Sequence, residues 1–138
     1  AQAENFTVIP VSGKLEMEIA QLDAEERAEF LLELGLSETA RDRFIRLAYS
    51  HLRLMSFFTA GPTEVRAWTI RLESAAANAA GKIHSDIERG FIRAEVVPYE
   101  VFMEYGSEQN VKTAGLLQVE GKEYVVADGD ILHVRFNV

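Results

Sequence analysis

His84, Asp86, Glu88 and Arg89 fall within one short run, Ile83-His-Ser-Asp-Ile-Glu-Arg-Gly90, and carry groups that could do acid–base work. Histidine is the side chain most often used as a general acid or base, and a histidine with acids is also a metal-ligand set. Spacing decides between these uses and a structural role. On one continuous helix His84 and Asp86 point about 200° apart and do not meet. His84 and Glu88, at i and i+4, share a face as an ordinary surface pair. A metal needs three or four donors, and Arg89 before Gly90 suits the negative end of a helix dipole. The run therefore predicts a helix handing over to a strand, with no catalytic residue and no metal site.

Other chemistries are excluded more simply. The chain has no cysteine, which removes thiolate nucleophiles, disulfides and zinc–thiolate sites and fits a reducing compartment such as the cytoplasm. Neither G-x-S-x-G nor G-x-x-x-x-G-K-[ST] occurs. These 138 residues are thus not expected to hydrolyse an ester or a nucleoside triphosphate by themselves. The net charge of -8 argues against broad adhesion to nucleic acid, and no DNA specificity is expected; RNA contact would need a local basic patch. No run of eighteen apolar residues exists, so no membrane partner is expected. One stretch points toward nucleotides: Val8-Ile-Pro-Val-Ser-Gly-Lys14 reads as a buried strand ending in Ser-x-Lys, the arrangement by which G-protein folds place a loop beside a purine base.

The elements that must position these residues fall into two parts. In residues 1–53 an apolar run from Phe6 to Gly13 reads as a strand of the parallel-sheet kind. Three helices follow. Leu15, Ile19 and Leu22 mark the first; Asp23 with Glu26 caps a second, striped by Ala24, Ala28, Leu31, Leu32 and Leu34 and ended by Gly35. Ser37 precedes a third, with Ala40, Phe44, Leu47, Ala48 and Leu52 on its apolar side. A lone strand cannot satisfy its backbone groups, so this part reads as the end of a larger domain.

Residues 54–138 have a different texture. Leu54–Thr59 and Val65–Leu72 flank Ala60-Gly-Pro-Thr63 as a hairpin. Ala76, Ala79, Ala80, Ile83 and Ile87 give the inner face of a helix that runs to Gly90, and Ile92, Ala94 and Val96 alternate as a strand. A short helix over 99–105 and another after Ser107 lead to two expected strands, Tyr124–Ala127 and Ile131–Val138, across Asp128-Gly-Asp130. The order predicts an α+β domain of the β-grasp, ubiquitin-like kind, with its main helix across a single sheet face.

Ser12-Gly-Lys-Leu-Glu16, Phe57-Phe-Thr-Ala-Gly-Pro62, Glu64-Val-Arg-Ala-Trp-Thr-Ile70, Ile83-His-Ser-Asp86, Glu88-Arg-Gly-Phe-Ile-Arg-Ala-Glu-Val96, Glu120-Gly-Lys, Tyr124-Val-Val and Asp128-Gly-Asp130 through Arg135-Phe-Asn-Val138 closely resemble the carboxyl-terminal part of the YchF, or Obg-like ATPase, family. The resemblance covers nearly the whole chain. It implies that residues 54–138 form a TGS domain and that residues 1–53 are a remnant of the preceding nucleotide-binding G domain, with Ser12, Gly13 and Lys14 as its base-contacting motif. Gly13 stands where the family usually has Ala. The resemblance further implies that ATP or GTP with Mg serves the intact parent and no cofactor serves this chain. It also implies the parent G domain and the ribosome or RNA as partners.

The residues singled out for ribosome or RNA contact are Arg66, Arg71, Lys82, Arg89 and Arg93, charges placed on strands and helix ends around one sheet. The alternative reading is a stand-alone β-grasp module for protein interaction or small-ligand regulation, with a pocket near His84 and Asp128-Gly-Asp130.

Overall fold

The sheet forms because four segments after residue 53 put an apolar residue at every second position, so that each strand buries one side. The computed structural model describes residues 7–61 and 63–137. Their contacts divide the chain into two units, Ala1–His51 and Leu52–Val138. In the second unit the strands are β1 (Leu54–Ala60), β2 (Val65–Arg71), β3 (Phe91–Val97), β4 (Gln118–Glu120) and β5 (Ile131–Phe136). Their spatial order is β2-β1-β5-β3-β4, with β1 and β5 parallel in the middle and the other pairs antiparallel.

One sheet face carries Met55, Phe57, Ile70, Ala94, Val96 and Leu132, all buried in a single cluster with helix α4 (Ala76–Ile83). Ala76, Ala79 and Ala80 are fully buried. Alanine at these spacings removes the side-chain layer that usually separates a helix from a sheet, so α4 sits close on it. Phe57 and Trp68, partners in the β1–β2 register, stack with ring centroids 6.5 Å apart.

The main helix lies across one face as expected, and the short helices cover the other. Phe58 points away from Phe57's side and meets Tyr99 at 6.2 Å. Tyr99 begins α6 (Tyr99–Tyr105), which is followed by α7 (Glu108–Thr113). Val97 and Val111 are buried there as a second, smaller core. Ser107 caps α7 as expected, its hydroxyl accepting from Asn110 N at 3.2 Å.

Two expectations for this unit fail, and one strand goes unmarked. The helix over 76–90 is two: α4 stops at His84, whose backbone is extended, and α5 (Ser85–Arg89) starts afresh. Residues 124–127 form no strand with β5. Tyr124 O accepts from Ala76 N, and Val126 N donates to Ser74 O, so this segment is tied to the start of α4. The strand that pairs with β3 at that edge is β4, which the sequence pattern did not mark.

In the first unit α1 (Gly13–Gln21), α2 (Ala24–Glu33) and α3 (Ala40–His51) lie where the periodicity puts them. The Asp23/Glu26 capping box is complete. The Phe6–Gly13 strand is not formed: Phe6 lies outside the described residues, residues 7–12 are irregular, and Val8 is 85% exposed. No neighbouring strand stands beside them among the described residues to take their backbone groups. The α2 and α3 stripes are only partly covered, since Leu32 is 79% and Phe44 60% exposed.

Two glycines test the packing around α4 and α5. A Cβ at Gly90 would overlap the backbone of Asn137, which cannot retreat because Asn137 N donates to Gly90 O at 2.9 Å. A Cβ at Gly81 would meet only the carboxylate end of the exposed Glu88. Gly90→Ala is expected to cost about 1–3 kcal/mol. Gly81→Ala should be near neutral or stabilising, because removing a helical glycine contributes up to about 1 kcal/mol. Urea unfolding of the two variants checks this; equal losses would contradict the packing described.

Candidate functional site

The residues proposed for chemistry or contact are held apart. Ser12 is the N-cap of α1, its hydroxyl accepting from Leu15 N at 3.4 Å and its carbonyl from Glu16 N at 3.0 Å. Gly13 has open space around it, and the Lys14 ammonium lies exposed, 4.0 Å from Glu18. Ser12, Gly13 and Lys14 are therefore at the amide-rich end of a helix, where backbone N–H groups face outward.

His84 plays a different part from the one expected. Because the backbone turns at this residue, its Nδ1 accepts from Asp86 N at 3.1 Å and caps α5, and the same nitrogen lies 3.5 Å from the Asp86 carboxylate. Helical geometry had kept the two apart, and the break in the helix brings them together. Glu88 turns back toward Gly81 instead of pairing with His84. Arg89 pairs with Asp86. The cluster is a cap and an ion pair, with His84 Nδ1 on the Asp86 backbone and Asp86 on the Arg89 side chain.

The five basic residues split by side. Arg66 stacks on the Trp68 ring at 4.2 Å from its centroid, at the β2 edge. Arg71 closes β2 on the opposite side, and Arg93 lies on that same side of β3. Two strands separate β2 from β3, and the register sets Arg71 beside Leu54, four residues before Phe58, and Arg93 beside Arg135, four residues past Phe58's partner Ile131, so the two stand at opposite ends of the sheet, roughly 30 Å apart. Lys82 and Arg89 belong to the helical layer on the other face. Arg71, Lys82 and Arg93 are exposed.

Asp128-Gly129-Asp130 forms a turn, with Gly129 at φ +86° as such a turn requires. Its polar groups are spent on the fold. Ser56 N donates to the Asp128 carboxylate and Gly129 N to Ser56 O, both at 2.8 Å. The buried Asp130 carboxylate accepts from Tyr124 Oη at 2.9 Å and Ala127 N at 2.8 Å. Burial, with Asp130's hydrogen bond and charge, pushes the Tyr124 hydroxyl up to about 12.

Comparison with known proteins now bears on these positions. Residues 54–137 match the YchF-GTPase_C family model, described as a protein of unknown function (DUF933). The chain belongs to this family. All of it aligns with "Ribosome-binding ATPase YchF" of Bacillus subtilis at 53% identity, covering 38% of that protein. "Obg-like ATPase 1" of Homo sapiens is 52% identical over 94% of the chain and 33% of its own length. The solved structure of the Schizosaccharomyces pombe YchF GTPase superposes with a TM-score of 0.81 at 36% identity, over 94% of this chain and 34% of that one. The chain thus spans between a third and two fifths of the length of these relatives.

The Tyr124–Asp130 pair gives an alkaline test. A tyrosine whose folded value lies above its unfolded one near 10 contributes stability that is complete below pH 10 and lost as pH rises through 12. Unfolding free energy measured by urea titration should therefore fall between pH 10 and 12, and Tyr124→Phe should flatten that fall. Asp130→Ala, which strands two donors, is expected to cost about 3 kcal/mol at neutral pH.

Proposed function

We propose that this chain is the carboxyl-terminal part of a YchF-type nucleotide-binding protein and acts as a docking and regulatory module for the ribosome in the cytoplasm. The observation that carries the reading is the alignment of all 138 residues, at 53% identity, with just over a third of a relative named as a ribosome-binding ATPase. Residues 54–138 are assigned as a TGS domain of β-grasp type. The parallel β1–β5 pair at the sheet centre and the helix α4 across one face support that assignment. Residues 1–53 are assigned to the end of the G domain, with Ser12, Gly13 and Lys14 beside the purine base. Their place at a helix start, with outward backbone amides, suits contact with a polar ring edge.

Hydrolysis of ATP or GTP with Mg belongs in this reading to the parent's upstream residues. The chain's own sequence has no phosphate loop, and the 138-residue chain should show no nucleotide turnover above buffer. Turnover that survives purification would overturn the assignment.

All five singled-out cations are exposed; ribosome contact is assigned chiefly to Arg71, Lys82 and Arg93, with Arg66 and Arg89 as flanking charges already engaged by Trp68 and Asp86. Reversing Arg71, Lys82 and Arg93 to Glu together should reduce cosedimentation of the chain with ribosomes. The salt dependence of what remains should become shallower, because fewer phosphates are neutralised. Unaltered pelleting of a folded triple variant would remove these residues from the interface.

A further inference from the structure

Glu95 and His133 are direct partners in the β3–β5 register, on the sheet side that carries Phe58 and faces α7. Cross-strand partners hold their Cβ atoms about 5 Å apart, so the carboxylate and the imidazole rise side by side from the sheet. Glu108, in the first turn of α7, reaches the same place, with its Oε1 3.8 Å from His133 Nδ1. One donor atom from each of the three lies within 4.8 Å of the others. A cavity of about 10 Å³ is bordered by all three residues, room for one water-sized particle.

We propose that Glu95, Glu108 and His133 form a binding site for a single divalent transition-metal ion of the zinc type, which staples α7 to the sheet. The donors come from three separate elements, so the ion would tie helix to strands instead of bridging neighbours on one element. Glu95 is the fixed ligand: its side chain is 11% exposed, and Arg135 holds both of its oxygens, Nε to Oε1 at 3.3 Å and Nη2 to Oε2 at 3.0 Å. Each carboxylate oxygen keeps a second lone pair, and a hydrogen-bonded partner of this kind orients a ligating carboxylate. The Arg135 hydrogen bond also holds the Glu95 carboxyl below its usual value, so it stays ionised.

Glu108 and His133 are the adjustable ligands, with side chains 41% and 45% exposed. Ligands sharing an ion with bonds of about 2.0–2.2 Å lie roughly 3–4 Å apart. Rotation of these two side chains closes the remaining gap without moving the sheet.

The charge balance selects the ion. Arg135 and Lys112 both act on Glu95, and their positive charges offset the two carboxylates. A site that relied on bulk negative charge, as for calcium or magnesium, would gain little here. Affinity has to come from coordinate bonds, and a set of one imidazole nitrogen and two carboxylates favours zinc and its neighbours. Three protein ligands leave the fourth position to water.

The test uses the 138-residue chain, with Co²⁺ as a coloured probe and Zn²⁺ as competitor. Visible absorption should saturate at one equivalent of Co²⁺ and be displaced by Zn²⁺, and bound Zn²⁺ should slow amide exchange over 108–113. His133→Ala and Glu108→Gln should each weaken Co²⁺ binding by roughly tenfold or more, while His51→Ala and His84→Ala leave it unchanged. Glu108→Gln, at a half-exposed helix position, keeps the test open should His133→Ala fail to fold. Absence of saturable binding, or binding that withstands Glu108→Gln with the fold intact, would overturn the proposal.

Discussion

The second unit depends on the contact between β1 and β5, which joins its two ends in parallel at the sheet centre. Ser56 and Asp128 are 72 residues apart, yet Ser56 N donates to the Asp128 carboxylate and Phe58 N to Asp130 O, both at 2.8 Å. Every other strand pair is antiparallel, and β1–β2 is a simple hairpin. The central pair has to absorb the loop-closure entropy of everything between, a cost that grows only slowly with length but must be met before the contact forms. A turn of three residues meets it with directed hydrogen bonds: Asp128 and Gly129 fasten to β1, and Asp130 fastens the turn to itself and to Tyr124.

Several perturbed ionisable groups here follow structural contacts of the same kind. Strongly shifted groups cluster at active sites because burial and charge are arranged there for chemistry, but structural ion pairs shift them too. Tyr124 is raised by burial and by its bond to a carboxylate that closes a turn. Glu38 is lowered by its hydrogen bond to Arg46, and Asp42 by its bond to the Thr39 hydroxyl at the start of α3. Each shift has a partner that is already accounted for by cap, turn or surface pair.

Local patterns made much of this fold legible in the sequence. The β1–β2 hairpin, the alanine face of α4, the Asp23/Glu26 box and the Ser107 cap all depend on residues within a few positions of one another. What could not be read depends on bonds that periodicity does not report. His84 breaks a helix that periodicity continues, because its imidazole can cap α5 and satisfy Asp86 N. Tyr124–Val126 look like a strand but find their bonds at Ser74 and Ala76. The approach of Glu108 to Glu95 and His133 joins three segments that no spacing rule links, whereas the His84 cluster, whose residue types first suggested chemistry, is taken up by a cap and an ion pair.

The first unit shows the opposite condition to the second. Among its described residues Ile19, Thr39 and Ala40 are buried, while Val8, Val11, Met17, Leu32, Phe44 and Ile45 stand mostly in solvent. Each large apolar side chain left out forgoes about 1.5–3 kcal/mol of burial, so three helices with this surface are a poor domain on their own but a good flank for one. Their sequence is not to blame, since the caps and periodicity are in order. The shortfall lies in what they pack against among the described residues. The irregular course of residues 7–12 fits the same account, because an apolar segment of strand composition becomes a strand only when a neighbour offers its backbone.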